Sequence, residues 1–141
     1  MELRQKNLRV YSKNAIQIGT FFFGPMAGGY MMLKNFELFE NHRFARNAQI
    51  TLIGGITILI LYLLLGFPLP PQWEVLFPIF STIIANQFFV SYQEKESAQY
   101  LKEGGKRQTV WKIFSVCLLS LLTTVLYVIF LSFLVGAFIH R

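Results

Sequence analysis

The residues in this sequence with a capacity for chemistry fall in two places. The first is the polar stretch Lys34 to Asn47, KNFELFENHRFARN, which gathers Asn35, Glu37, Glu40, His42 and Arg43. Acids, a histidine and a cation side by side are what a site handling a lipid headgroup would use. His42 with Glu37 and Glu40 also brings metal-ligating types together. Their spacing is loose and their types are mixed, unlike the regular ligand intervals of zinc sites. A solvated connector accounts for them more simply, and neither metal nor cofactor is expected. The second place is the adjacent pair Asn86 and Gln87, with Gln17 far upstream, all inside apolar runs. Amides in hydrocarbon need hydrogen-bond partners. These three can join helices, bind backbone loosened near Gly24-Pro25, or contact a ligand; joining helices is the simplest of these.

No nucleophile has a matching base, and no phosphate-cradling glycine loop occurs. No Asp, Glu, Lys, Arg or His lies deep inside an apolar segment, whereas proton relays and ion-coupled carriers place ionisable groups there. The single cysteine, Cys117, sits in an apolar run, which excludes a disulfide within the chain and points to packing.

The elements that must position these residues are hydrophobic. Charged residues make up 14% of the 141, against roughly 25% in a soluble chain, and the mean hydropathy is +0.47. A soluble domain this small needs more polar surface than that, whereas a bilayer solvates an apolar exterior. The net charge of +6 would by itself suggest nucleic acid. The positions of the cations argue otherwise. Lys and Arg flank the apolar segments, where retention at the cytoplasmic face and anionic headgroups favour them. Arg43, Arg46, Lys106 and Arg107 are the expected headgroup contacts, and no nucleic acid is expected.

Four hydrophobic segments follow a basic tail at 1–14, which reads as a frayed end or a short interfacial helix. Segment 15–33 is uncharged but is interrupted by Gly24-Pro25 and Gly28-Gly29, so a kink or break is expected at Pro25. Segment 48–67 is the cleanest spanning helix, closed by Gly66 and the turn Pro68 to Gln72. Segment 75–92 carries Pro78, read as lying in its first turn. A charged helix extension and loop, 93–109, stops at Gly104-Gly105. Segment 113–139 is longer than a ~30 Å hydrocarbon core requires. Trp73 and Trp111 are the interfacial anchors. Small residues recur four apart, as in Gly24 and Gly28, and allow close helix packing.

Two arrangements remain open. If all four segments span, five basic residues (Arg4, Lys6, Arg9, Lys13, Arg141) face eight others across the membrane. If segment 15–33 instead turns back at Gly24-Pro25, twelve share one face and Arg141 alone faces the other, which obeys the positive-inside rule far better. The cost is irregular backbone at depth, tolerated only where protein or water satisfies it.

The stretch Gly19 to Arg46 carries Gly24, Pro25, Ala27, Gly28, Gly29, Asn35, Phe36, Arg43 and Arg46. In this it resembles small bacterial membrane proteins of unassigned function that share a Gly-Pro-x-Ala-Gly-Gly break followed by an Asn-aromatic step and a basic connector. The resemblance implies a bacterial origin and a polytopic helical fold, and no activity.

The expectation is therefore an all-α integral membrane protein, a single domain over 1–141. It is a bundle of three to four hydrophobic helices whose first segment (15–33) is kinked or re-entrant at Gly24-Pro25. The expected place is the bacterial cytoplasmic (inner) membrane, with basic connectors facing the cytoplasm. The expected role is a non-catalytic subunit or accessory protein of a larger membrane complex, so other membrane proteins and anionic lipid are its partners. A small oligomeric transporter or channel-like protein is the alternative, and a lipid-headgroup-processing enzyme is the third.

Overall fold

The computed structural model describes residues 9–64 and 71–139, and within them all side chains except those at 42, 51, 52, 55, 58, 59, 62–64, 74, 138 and 139. Arg4, Lys6, the start of the Pro68 turn, the His42 side chain, His140 and Arg141 lie outside these described residues. The described residues are mostly helical. In chain order they form β1 (Arg9–Val10), α1 (Lys13–Phe23), α2 (Pro25–Leu38), α3 (His42–Leu64), α4 (Trp73–Tyr92), α5 (Glu94–Lys102), β2 (Lys106–Arg107) and α6 (Val110–Ile139).

Segment 15–33 is two helices, not one kinked helix. Gly24 separates them with φ 84° and ψ 173°, a region that essentially only glycine occupies. Pro25 then opens α2 at its first position, where its missing N–H costs nothing and its fixed φ suits the helix. The proline thus starts the second helix instead of bending the first. α2 runs on through Leu38, so the first turn of the polar stretch is helical.

The arms fold back on each other. A Cβ added at Gly28 would fall 1.8 Å from Thr20 Oγ1, and one at Gly19 would fall 2.9 Å from Met31 Cε. At Gly28 a side chain would collide with the buried Thr20, whereas at Gly19 the flexible end of Met31 would have to move aside. Each arm is short: 11 and 14 residues, or about 16 and 21 Å at ~1.5 Å per residue.

Three longer helices surround the hairpin. Ala85 and Phe89 of α4, with Val116 and Cys117 of α6, close over Tyr11, Ala15, Ile16, Ala27 and Met31 to form the main core. A smaller cluster joins Ile56 and Ile60 of α3 to Leu131 of α6, with Met26 near the hairpin tip packed against it. Tyr127 Oη lies 2.7 Å from Thr57 Oγ1 beside that cluster. Because the Thr57 hydroxyl already donates to the Ile53 carbonyl, Tyr127 is the donor.

Two helices, over Val75–Tyr92 and Val110–Ala137, are long and apolar enough to cross a membrane. Their outer faces are rows of large apolar side chains, including Phe80, Ile83, Ile84, Leu118, Leu122, Ile129 and Phe133. Pro78 is the sixth residue of α4 and not part of its first turn, because the helix begins two residues before the apolar run, at Trp73. Past α4 the chain bends at Gln93 (φ −127°) and continues as α5, which ends before Gly104 with φ 89°.

The fold departs from all-α in one small feature. Arg9–Val10 and Lys106–Arg107 form a two-residue parallel ladder, with Arg9 opposite Lys106 and Val10 opposite Arg107. The Gln108 amide donates to the Val10 carbonyl at 2.8 Å. Arg9–Val10 is therefore extended, while residues 1–8 of the tail lie outside the described residues. Val10 is buried, and Ser12 caps α1 by accepting from the Ala15 amide at 3.3 Å.

Candidate functional site

The clasped base of the hairpin

The most heavily built polar feature lies where the open ends of the hairpin meet α4. The Tyr11 amide donates to Asn35 Oδ1 at 2.8 Å, and Asn35 Nδ2 donates back to the Tyr11 carbonyl at 2.9 Å. Asn35 thereby pairs with an extended backbone as a neighbouring strand would. Its Nδ2 also donates to Gln93 Oε1 at 3.1 Å, and Gln93 Nε2 donates to the Met32 carbonyl at 2.8 Å. Both side chains are 0% exposed. Buried amides must be satisfied, and this closed circuit satisfies them while tying tail, hairpin and α4 together.

A second amide pair lies higher in the hairpin. Gln17 Nε2 donates to Asn86 Oδ1 at 2.9 Å, which joins α1 to α4. This is the interhelical bond expected of these residues. Gln87, one position on, points outward and is exposed. Gly24 and Pro25 form the tip, and Gly28 lies at the closest approach of the arms.

Asn35 is buried in the circuit, Glu37 is engaged by Lys34, and Arg43 and Arg46 are exposed on the first turns of α3. That salt bridge holds the Lys34 ammonium above its ordinary pKa. Among the described residues no three metal-ligating side chains are grouped to hold an ion. An open cleft of about 240 Å³ lies between the turn after α2 and α5, lined by Leu38, Phe39, Glu40, Glu96, Gln99, Tyr100 and Glu103.

Around the circuit the chain gathers its cations. Arg9 opens β1, Lys13 opens α1, and Lys34 lies about one turn before the end of α2. Arg43 and Arg46 open α3, Lys95 and Lys102 lie on α5, and Lys106, Arg107 and Lys112 precede or open α6. The hydrogen bonds above bring together the tail, the second arm, the start of α5 and the loop before α6, and the short turn after Leu38 places the start of α3 beside them. An aromatic seam closes it, with Phe44 5.0 Å from Tyr92 and Tyr92 4.8 Å from Phe88, ring centre to ring centre. Trp111 sits at this end, 82% exposed. Trp73 opens α4 at the opposite end, tilted against Phe80.

Sequence reasoning missed Gln93 and Tyr11 and read Asn35 as surface chemistry. Gln93 follows an apolar run directly and precedes a charged one, so nothing in its surroundings distinguishes it from the first exposed residue after a span. Comparison with protein-family models, curated proteins and solved structures finds no match to this chain.

Proposed function

We propose that this chain is a non-catalytic, membrane-embedded accessory subunit of a larger bacterial inner-membrane complex. The observation that carries the reading is Gln87. It lies within the apolar run of α4, on an exposed face shared with Phe80, Ile83 and Ile84, and no hydrogen bond within the described residues engages it. Lipid tails offer an amide nothing, and a partner helix does. The polar side chains deeper in the fold are engaged internally: Gln17 with Asn86, Thr57 with Tyr127, and Thr20 with the Ile16 carbonyl. Among the described residues these pairings take up polar groups that a solute path would use.

In this reading α3, α4 and α6 cross the bilayer. The α1–α2 hairpin enters and leaves on the basic face, which lies in the cytoplasm. Arms of about 16 and 21 Å fall short of a ~30 Å core, and the adjacency of Tyr11 and Asn35 supports a return to the same side. A membrane protein of this kind also accords with the bacterial resemblance of the Gly24 to Arg46 stretch.

The test is native mass spectrometry of the tagged chain extracted from its own membrane in mild detergent. Other polypeptides in fixed ratio are expected, and Gln87→Leu, at an exposed site, should loosen them without changing the fold. A lone monomer would refute the subunit reading. A homo-oligomer that passes solute in liposomes would favour the transporter instead. Single cysteines at positions 8 and 40, in a chain lacking Cys117, should label from the same side; labelling from opposite sides would sink the hairpin topology.

A further inference from the structure

Arg9 and Lys106 are partners across the β1–β2 ladder. Alternation along β1 turns Val10 inward, where it is 1% exposed, and leaves Arg9 outward; Lys106 is exposed beside it. Like charges directly across a ladder repel. Among the described residues the one ion pair is Lys34 with Glu37, so neither Arg9 nor Lys106 is ion-paired there. More positive charge stands close by in sequence and structure: Arg107 opposite Val10, Lys13 in the first turn of α1, and Lys112 in the first turn of α6. Both helices begin at this end, and their free N–H groups add to the positive potential. Trp111, almost fully exposed in the first turn of α6, marks the depth at which indole meets headgroups. The ladder therefore holds two cations in register, unpaired, at headgroup level.

We propose that Arg9 and Lys106 together bind a phosphate anion, the phosphodiester of an anionic lipid headgroup, and that this anion holds the N-terminal strand to the loop before α6. The inference rests on the membrane reading above. The guanidinium can take the two non-bridging oxygens as a fork, and the ammonium adds a point charge on one of them. With the anion bound, the pair that would push β1 from β2 becomes a bridge across them. Free phosphate offers the same oxygens but no acyl chains to lie beside Trp111 and the apolar face of α6.

The experiment uses the full chain in an uncharged detergent. It is titrated separately with short-chain phosphatidylglycerol, short-chain phosphatidylcholine and inorganic phosphate. Two readouts are followed: retained lipid by native mass spectrometry, and hydrogen exchange at the Gln108 amide, which bonds the Val10 carbonyl. Phosphatidylglycerol is expected to be retained and to slow Gln108 exchange at concentrations where the other two do neither. Arg9→Gln and Lys106→Gln should each weaken that effect about fivefold, the contribution of one basic residue near an anionic surface. Arg46→Gln, on α3 and outside the ladder, should change it less than about twofold, because attraction falls off with distance from the bound anion. Equal losses from Arg46→Gln and Arg9→Gln would overturn the site in favour of a diffuse basic face. Inorganic phosphate acting as well as phosphatidylglycerol would overturn the lipid as the source. The membrane reading is scored apart: release of the chain from native membranes by alkaline carbonate overturns that reading, whereas failed titrations with the chain still in the pellet overturn the phosphate site alone.

Discussion

Replacing Asn35 by leucine, which keeps the branch at Cγ and the number of side-chain heavy atoms, removes the amide that joins tail, hairpin and α4. Three buried groups then lose a partner: the Tyr11 amide, the Tyr11 carbonyl and Gln93 Oε1. Tyr11 is 3% exposed and Gln93 0%, so water cannot replace Asn35 without opening the fold. Each unsatisfied buried group costs about 1–3 kcal/mol, so the loss is at least about 3 kcal/mol. For a chain of this size that lowers the unfolding midpoint by about 10 °C. The assay is thermal unfolding in detergent, followed with a thiol-reactive dye. Cys117 is the one cysteine and lies in the main core, 2% exposed, so its labelling reports opening of the hairpin packing. Two comparisons make the reasoning refutable. Gln93→Leu orphans only one of the two Asn35 N–H groups, because the Met32 carbonyl lies within a helix that supplies its own donors; its midpoint should fall by about a third as much. Asn86→Leu orphans only the half-buried Gln17 amide and should cost no more than that. An Asn35→Leu midpoint within about 2 °C of the parent, or a drop no larger than that of Asn86→Leu, would refute the claim that the circuit is what clasps the hairpin.

Four further outcomes are expected. Gly28→Ala drives a methyl into Thr20 Oγ1, whose side chain is 1% exposed and hydrogen-bonded to the Ile16 carbonyl; a loss of about 2–3 kcal/mol is expected, and Thr20→Ala should restore much of it. Gly24→Ala meets open space but a φ of +84°, so its cost of about 1–3 kcal/mol is conformational and Thr20→Ala should restore none of it, as a double-mutant cycle would read. Tyr127→Phe removes one donor to Thr57, whose own proton stays bonded to Ile53, so a loss of only about 0.6 kcal/mol is expected by thermal unfolding. Burial pushes the Tyr11 phenol above its ordinary value; the folded state therefore holds that proton more tightly, and the contribution is complete below the unfolded value near 10 and lost as pH rises through the folded value. As pH rises from about 9 through the unfolded value near 10, the unfolding midpoint of the parent should fall more steeply than that of Tyr11→Phe.

How far the site was legible can be argued residue by residue. Gly24-Pro25 announced a break because a glycine before a proline inside an apolar run has few helical uses. Whether the chain bent or turned back was undecided, because both need the same two residues. The difference lies in Gly19 and Gly28, whose missing side chains let the arms touch, and in Asn35 meeting Tyr11 across 24 positions of sequence. Gln17 and Asn86 were legible as interhelical partners because an amide in an apolar run must find one. Asn35 and Gln93 were not, because each sits at the edge of a polar stretch where exposure is the ordinary expectation. The ladder of Arg9 with Lys106 was illegible for another reason: two basic residues have no local cause to pair.

By itself the sequence determined the helical character, the apolar segments, the break at Gly24-Pro25 and the ring of basic residues at segment ends. Each follows from periodicity, composition or the backbone limits of one or two residues, which act over a few positions along the chain. Tertiary structure alone decided that the first segment returns as a hairpin, that Asn35 and Gln93 face inward, and that Arg9–Val10 pairs with the loop before α6. These depend on close approach and on hydrogen bonds between residues tens of positions apart. Whether a polar side chain is a surface group or a clasp is settled by what the rest of the fold brings against it.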